Sequence, residues 1–187
     1  MLKKLCTFIG TLVLIAGIAV GGYFLYTNVL KDKINPPAKG EFEINYVYET
    51  LTDLDSDKIK HGFVKGYKGE APEDVVIAKS FDNNGTTRSV SGIKNRAFKN
   101  AKSMKTIDIP STVAMFGSNI FEGCDGLTTV VIRLQRGMVA AVSFYGAFDG
   151  LNLEKVTFKV SHEDVKESIL SSHPKANVVV DEALVEA

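Results

Sequence analysis

Apolar residues recur at a fixed spacing over residues 93–132, and the chain is organised around that stretch. One copy runs Ile93, Ala97-Phe98, Ala101, Met104, Ile107, Ile109-Pro110, and the next runs Phe116, Ile120-Phe121, Cys124, Leu127, Val130, Ile132. Six apolar positions repeat at one step of 23, Phe98 to Phe121 among them. A period of this length is the signature of a solenoid, in which each coil buries its apolar face only against the next coil. Within the copies, Met104–Ile109 and Leu127–Ile132 are β-prone runs with alternating apolar positions. They predict one short strand per coil, stacked in parallel on its successor. Pro110 cannot donate to such a ladder and ends the first strand. Phe98 and Phe121 fall on the return arm, where a large ring fills a flat, wide coil.

The flanks carry different patterns. Phe42, Ile44, Tyr46 and Tyr48 alternate with Glu41, Glu43, Asn45 and Val47, which predicts a strand with one apolar face. With a second strand near Gly62 to Tyr67, residues 41–72 form an N-terminal cap, because a first coil has no neighbour above it. Asn83-Asn84-Gly85 predicts a turn, since Asn and Gly tolerate positive φ. The repeats proper occupy 73–160, and a third Ala147-Phe148 pair arrives 27 residues after Phe121. The third coil is therefore expected to be distorted or to carry an insertion. Past the strand Leu153–Val160, Ser161 followed by Asp164 is a capping signal, and Val165, Ile169 and Leu170 share a helical face. Asn177–Val180 reads as a last strand, so 161–187 is predicted as a C-terminal strand, helix and strand cap with a tail.

At the N-terminus, residues 1–4 form a short basic tail, and Leu5 to Tyr26 follows without a charge. About 22 helical residues span roughly 33 Å, enough for a hydrocarbon core of about 30 Å. This predicts a transmembrane signal-anchor helix over 5–30, with 31–40 as a linker stiffened by Pro36-Pro37. Lys3 and Lys4 hold the tail in the cytoplasm and place the body outside, on the plasma membrane as a single-pass protein. The alternative is a cleaved signal peptide, with Gly17-Ile18-Ala19 or Ala19-Val20-Gly21 as the site and a secreted body.

The string Val90-Ser91-Gly92-Ile93, Ala97-Phe98, Met104, Ile107-Asp108-Ile109-Pro110, Phe116-Gly117, Phe121, Gly123-Cys124, Leu127, Val130, Ile132 resembles the BspA-like leucine-rich repeat, a bacterial surface family. Gly66–Gly69 and Val75–Ile77 resemble the lead-in strands of such proteins, and the resemblance covers roughly residues 42 to 160. Ala101 departs from the usual Cys, and Ile120 from the Ala of the Ala-Phe pair. The fold this implies is mainly β with some helix: a short leucine-rich-repeat solenoid of stacked parallel strands, preceded by one N-terminal transmembrane helix.

Charge and candidate chemistry narrow the function. Lys and Arg total 22 against 22 Asp and Glu, so no basic stripe for nucleic acid is expected. Asp53, Asp55 and Asp57 have calcium-loop spacing, but Lys58 and Val64 stand where the sixth and twelfth positions need Gly and Glu, and the stretch reads as a solvated turn. Asn84-Gly85-Thr86 matches a glycosylation acceptor that matters only in a eukaryotic secretory pathway. His61, His162 and His173 have no metal spacing, and Cys124 holds a repeated core position. With no phosphate loop or nucleophile elbow, neither an enzyme nor a cofactor is expected.

Binding is the remaining role. The strand register predicts an outward lattice of Thr106 and Asp108, Thr129 and Val131, Lys155 and Thr157, extended by Asp74 and Val76. Its expected ligand is a protein or a glycan, and the resemblance adds adhesion and attachment. The alternative is a structural scaffold for a partner in the cell's own envelope.

Overall fold

The computed structural model describes residues 42–50, 60–135 and 142–185. The predicted anchor at 5–30, the linker, Asp53, Asp55, Asp57 and the last two residues lie outside them. Among the described residues no helix is long and apolar enough to cross a membrane.

The chain builds two sheets, moving back and forth between them over its first eight strands and ending with three successive strands in one sheet. Strands β1 (Glu43–Thr50) and β2 (Lys60–Lys68) form an antiparallel pair with a bulge at Asn45/Tyr46. Strand β3 (Asp74–Val76) opens the second sheet, after which β4 (Ser80–Asn83) and β5 (Thr86–Ile93) make a hairpin. The hairpin turns on Asn84 and Gly85, at φ 54° and 80°. Positive φ at both central residues matches the right-handed twist of the flanking strands, which is why Asn-Gly serves here. Strands β6 (Thr106–Ile109), β7 (Met115–Phe116), β8 (Thr129–Ile132) and β9 (Thr157–Val160) follow. The chain then makes helix α1 (Glu163–Ser172) and strand β10 (Asn177–Val180).

One sheet is wholly parallel in the order β10-β9-β8-β6-β3. The other carries a parallel run β2-β5-β7, with β1 antiparallel on β2 and β4 antiparallel on β5. The step of 23 already pairs Ile93 with Phe116, but no strand is predicted at either position. This second parallel ladder includes Gly92 against Met115, and its β7 member is only two residues long.

The core between the sheets repeats coil by coil. Ile107, Val130 and Phe158 form one layer, with Ile109, Ile132 and Val160 in the next, all at most 1% exposed. Through the middle runs an aromatic column. Tyr67, Phe98, Phe121 and Phe148 stack at centroid spacings of 6.2, 6.0 and 6.3 Å, and His173 closes the column 5.3 Å from Phe148.

Each of the three phenylalanines sits in a turn bounded by two left-handed residues. Arg96, Asn119 and Gly146 precede the ring at φ 57°, 54° and 70°, and Asn100, Gly123 and Gly150 follow it at 62°, 74° and 85°. The bends aim backbone N–H groups at the next coil: Phe98 donates to Ile120 O at 3.0 Å and Asn100 to Glu122 O at 2.8 Å. The turns are thus a third ladder, and their backbone polar groups are paired as burial requires.

The third coil is lengthened. Thr106 to Thr129 is a step of 23, while Thr129 to Thr157 is 28. At the C-terminal end, β9 and β10 are parallel and so need a crossover, which α1 provides. Val165 and Ile169 are the buried residues of this helix. The expected cap residue is corrected: His162 occupies the N-cap position without a side-chain bond, whereas the Ser161 hydroxyl donates to Leu134 O at 2.6 Å. Ser161 is fully buried, so its hydroxyl serves the preceding coil instead of the helix.

Candidate binding face

In the parallel sheet, alternate side chains point away from the core, and the register places them in two rows. The first row is Asp74, Thr106, Thr129, Thr157, Asn177. The second is Val76, Asp108, Val131, Lys159, Val179. Neighbours within a row are about 4.8 Å apart, the spacing of hydrogen-bonded strands.

Five of the six residues expected on this lattice fall in the rows, and two expectations need correcting. Lys155 lies in the turn before β9, and Lys159 takes its place in the second row. Lys155, Thr157 and Lys159 share one parity, so alternation turns all three outward, but β9 begins only at Thr157 and leaves Lys155 outside the ladder. Val131 is outward by register yet only 8% exposed, because Asp108 and Lys159 flank it in the ladder.

The first row presents three threonine hydroxyls side by side. Asn177 ends it by donating through Nδ2 to Thr157 Oγ1 at 3.1 Å. In the second row, Arg133 reaches back and grips Asp108 with two bonds of 2.7 Å each. Bidentate geometry and partial shielding, with 28% and 22% of the side chains exposed, make this pair stronger than an ordinary surface bridge. Asp108 therefore presents a neutralised pair to a ligand, not a bare carboxylate. Lys105 and Glu73 are bridged at 2.5 Å at the rim, and Val76 and Val179 are 69% and 48% exposed at its two ends.

Such a surface offers hydroxyl donors and acceptors, one guanidinium–carboxylate pair and one lysine; it holds no nucleophile beside a base. Among the described residues no group of three or more His, Cys, Asp or Glu could hold a metal ion. Cys124 is buried, with its thiol against Phe98 O at 3.0 Å, and burial pushes its pKa up to about 11. A thiol held protonated at neutral pH is a packing group. On the turn ladder, bonds from Lys99 and Arg96 hold the Glu122 carboxyl below its ordinary value. That cluster ties neighbouring coils together and stands apart from the sheet face.

The BspA type leucine-rich repeat region matches residues 78–184 in six copies. The chain belongs to that family. No curated protein matches this BspA-type repeat chain. Among solved structures it is similar to a leucine-rich cell surface protein from Faecalibacterium prausnitzii A2-165, at 23% identity and a TM-score of 0.40, over 65% of this chain and 33% of that one. A leucine-rich repeat protein from Bacteroides ovatus ATCC 8483 is similar at 19% identity and a TM-score of 0.42, over 76% of this chain and 38% of that one. The BspA-type chain thus spans about a third of the length of either protein.

Proposed function

We propose that this BspA-type chain is an outward-facing binding module, held at the plasma membrane by residues 5–30, that engages a protein or glycan through the parallel-sheet face. The observation that carries the reading is the pair of in-register rows across five strands. A solenoid face of this kind is an extended recognition surface, and repeat proteins use such surfaces to bind. Residues Thr106, Thr129 and Thr157 form its centre, with Asp108, Val131 and Lys159 beside them, while Lys155 flanks the face from its turn. The family association with adhesion makes surface attachment the natural role, and residues 31–40 would space the module from the bilayer.

The test is to display the full chain on cells and measure binding to a glycan array and a panel of purified extracellular-matrix and bacterial-surface proteins. Thr129→Arg combined with Lys159→Glu is expected to cut binding at least tenfold at an unchanged melting temperature. Equal binding by the variant would remove the face from the reading. Protease shaving of the same cells reports the side of the membrane. The mature mass distinguishes an intact anchor from a body released by cleavage.

A further inference from the structure

The C-terminal edge of the parallel sheet is unfinished. Among the described strands, β10 pairs with β9 alone. Asp181 N–H donates to Val160 O at 2.9 Å, so Asn177, Val179 and Asp181 direct their backbone groups inward along the ladder. In a parallel pair the alternate residues then present theirs to the open side, and these are Val178 and Val180. Both are only half-buried, whereas the residues matching them in the preceding strands are at most 1% exposed. Val179 is 48% exposed on the outer face. The strand Asn177-Val178-Val179-Val180 contains no lysine or proline, the residues that ordinarily protect an edge.

We propose that this edge is an interface with a second copy of the chain, the two β10 strands pairing antiparallel across a two-fold axis. Two requirements fix the register. Directly opposed residues must share a face, and the hydrogen-bonded pairs must be those with free backbone groups. Val178 therefore opposes Val180 of the second copy, and each such pair exchanges two bonds. Val179 meets its own counterpart on the axis, where the exposed valine is covered. Asn177 opposes Asp181, an amide that spends one hydrogen on Thr157 against a carboxylate whose Oδ1 accepts from Ala183. Apolar rows and polar ends thus match themselves, as an isologous contact demands. The far edge, β3, is a poorer partner, because it offers only three residues and would chain copies head to tail without closing. Pairing joins two five-stranded sheets into one continuous face, bringing both sets of threonines together. A ligand with repeated epitopes would then be held by avidity.

The experiment uses the full chain in membranes, with Cys6→Ser to remove the chain's other native thiol and Cys124 left in place because it is buried. Val179→Cys, oxidised with copper phenanthroline, is expected to give a disulfide dimer on a non-reducing gel. Its yield should exceed that of Asn177→Cys at least tenfold, since residues 177 of the two copies stand far apart in this register. Val179→Lys, checked for an unchanged circular-dichroism melt, is expected to shift the detergent-extracted chain toward monomer in light scattering. Absence of the Val179 cross-link, or equal yields at both positions, would overturn the proposal. So would capture of Val179→Cys chains only by Val76→Cys chains, which would mean head-to-tail growth. None of these readouts involves a ligand, so they stand apart from the binding test.

Discussion

Gly123 shows how much one residue carries. It sits at φ 74°, and a Cβ there would lie 2.4 Å from Asn100 Oδ1, in the matching turn of the preceding coil. Gly123→Ala combines backbone strain with that clash and is expected to cost about 1 to 3 kcal/mol in urea unfolding. Arg96 holds the same kind of left-handed bend without being Gly or Asn, and its guanidinium bonds Glu122 of the next coil at 2.7 Å. His173 is the other residue with a readable consequence. It is 6% exposed, between Phe148 and Ser172, with Asp149 Oδ1 3.6 Å from Nε2. Burial lowers its pKa, and Asp149 opposes this only in part. The folded state therefore binds fewer protons than the unfolded one just below the ordinary histidine value of about 6.5, and stability rises with pH in that window. The contribution is complete above about 6.5 and declines as the pH falls below it. Urea midpoints at pH 7.5 and 5.5 should show that drop, and His173→Gln should reduce it.

At the scale of elements, legibility followed the strength of the repeat. The strands β6 and β8 and the rings at 98 and 121 were readable because a step of 23 places identical chemistry in successive coils. Strand β7 was not, because two residues carry no periodicity. The exchange of Lys155 for Lys159 reflects where β9 begins, because alternation gives a residue's face and not the first residue of the strand. The paired left-handed bends had a signal in Asn100, Asn119, Gly123, Gly146 and Gly150, masked by Arg96. The Asp108–Arg133 grip joins residues 25 apart, which no local pattern encodes. Ser161 shows a motif outvoted by packing. Its hydroxyl is committed to Leu134 O, so Ser161→Ala is expected to cost about 1 to 3 kcal/mol by stranding a buried carbonyl. Far-UV circular dichroism should show native helicity before unfolding; a frayed α1 would mean that the serine caps the helix after all.

For the molecule as a whole, the aromatic column makes neighbouring coils mutually dependent. Phe121 is fully buried between Phe98 and Phe148, and Phe121→Ala is expected to cost about 3 to 5 kcal/mol. Milder Phe→Leu changes can test how the dependence travels. The Phe98–Phe121 double mutant should deviate from additivity by about 0.5 to 1.5 kcal/mol, the range measured for aromatic pairs. Phe98 and Phe148 are separated by Phe121, and their effects should add within about 0.5 kcal/mol. Coupling limited to adjacent coils is what a quasi-one-dimensional protein requires.

The lengthened third coil has a practical corollary. Ile109 to Phe116 takes seven residues, whereas Ile132 to Phe144 takes twelve, and the strands and rings on either side keep their partners. One arc of the coil thus already hosts extra sequence without disturbing the ladders. That arc is a graft point: an epitope or reporter peptide spliced between Leu134 and Val142 would ride on a scaffold built to carry a passenger.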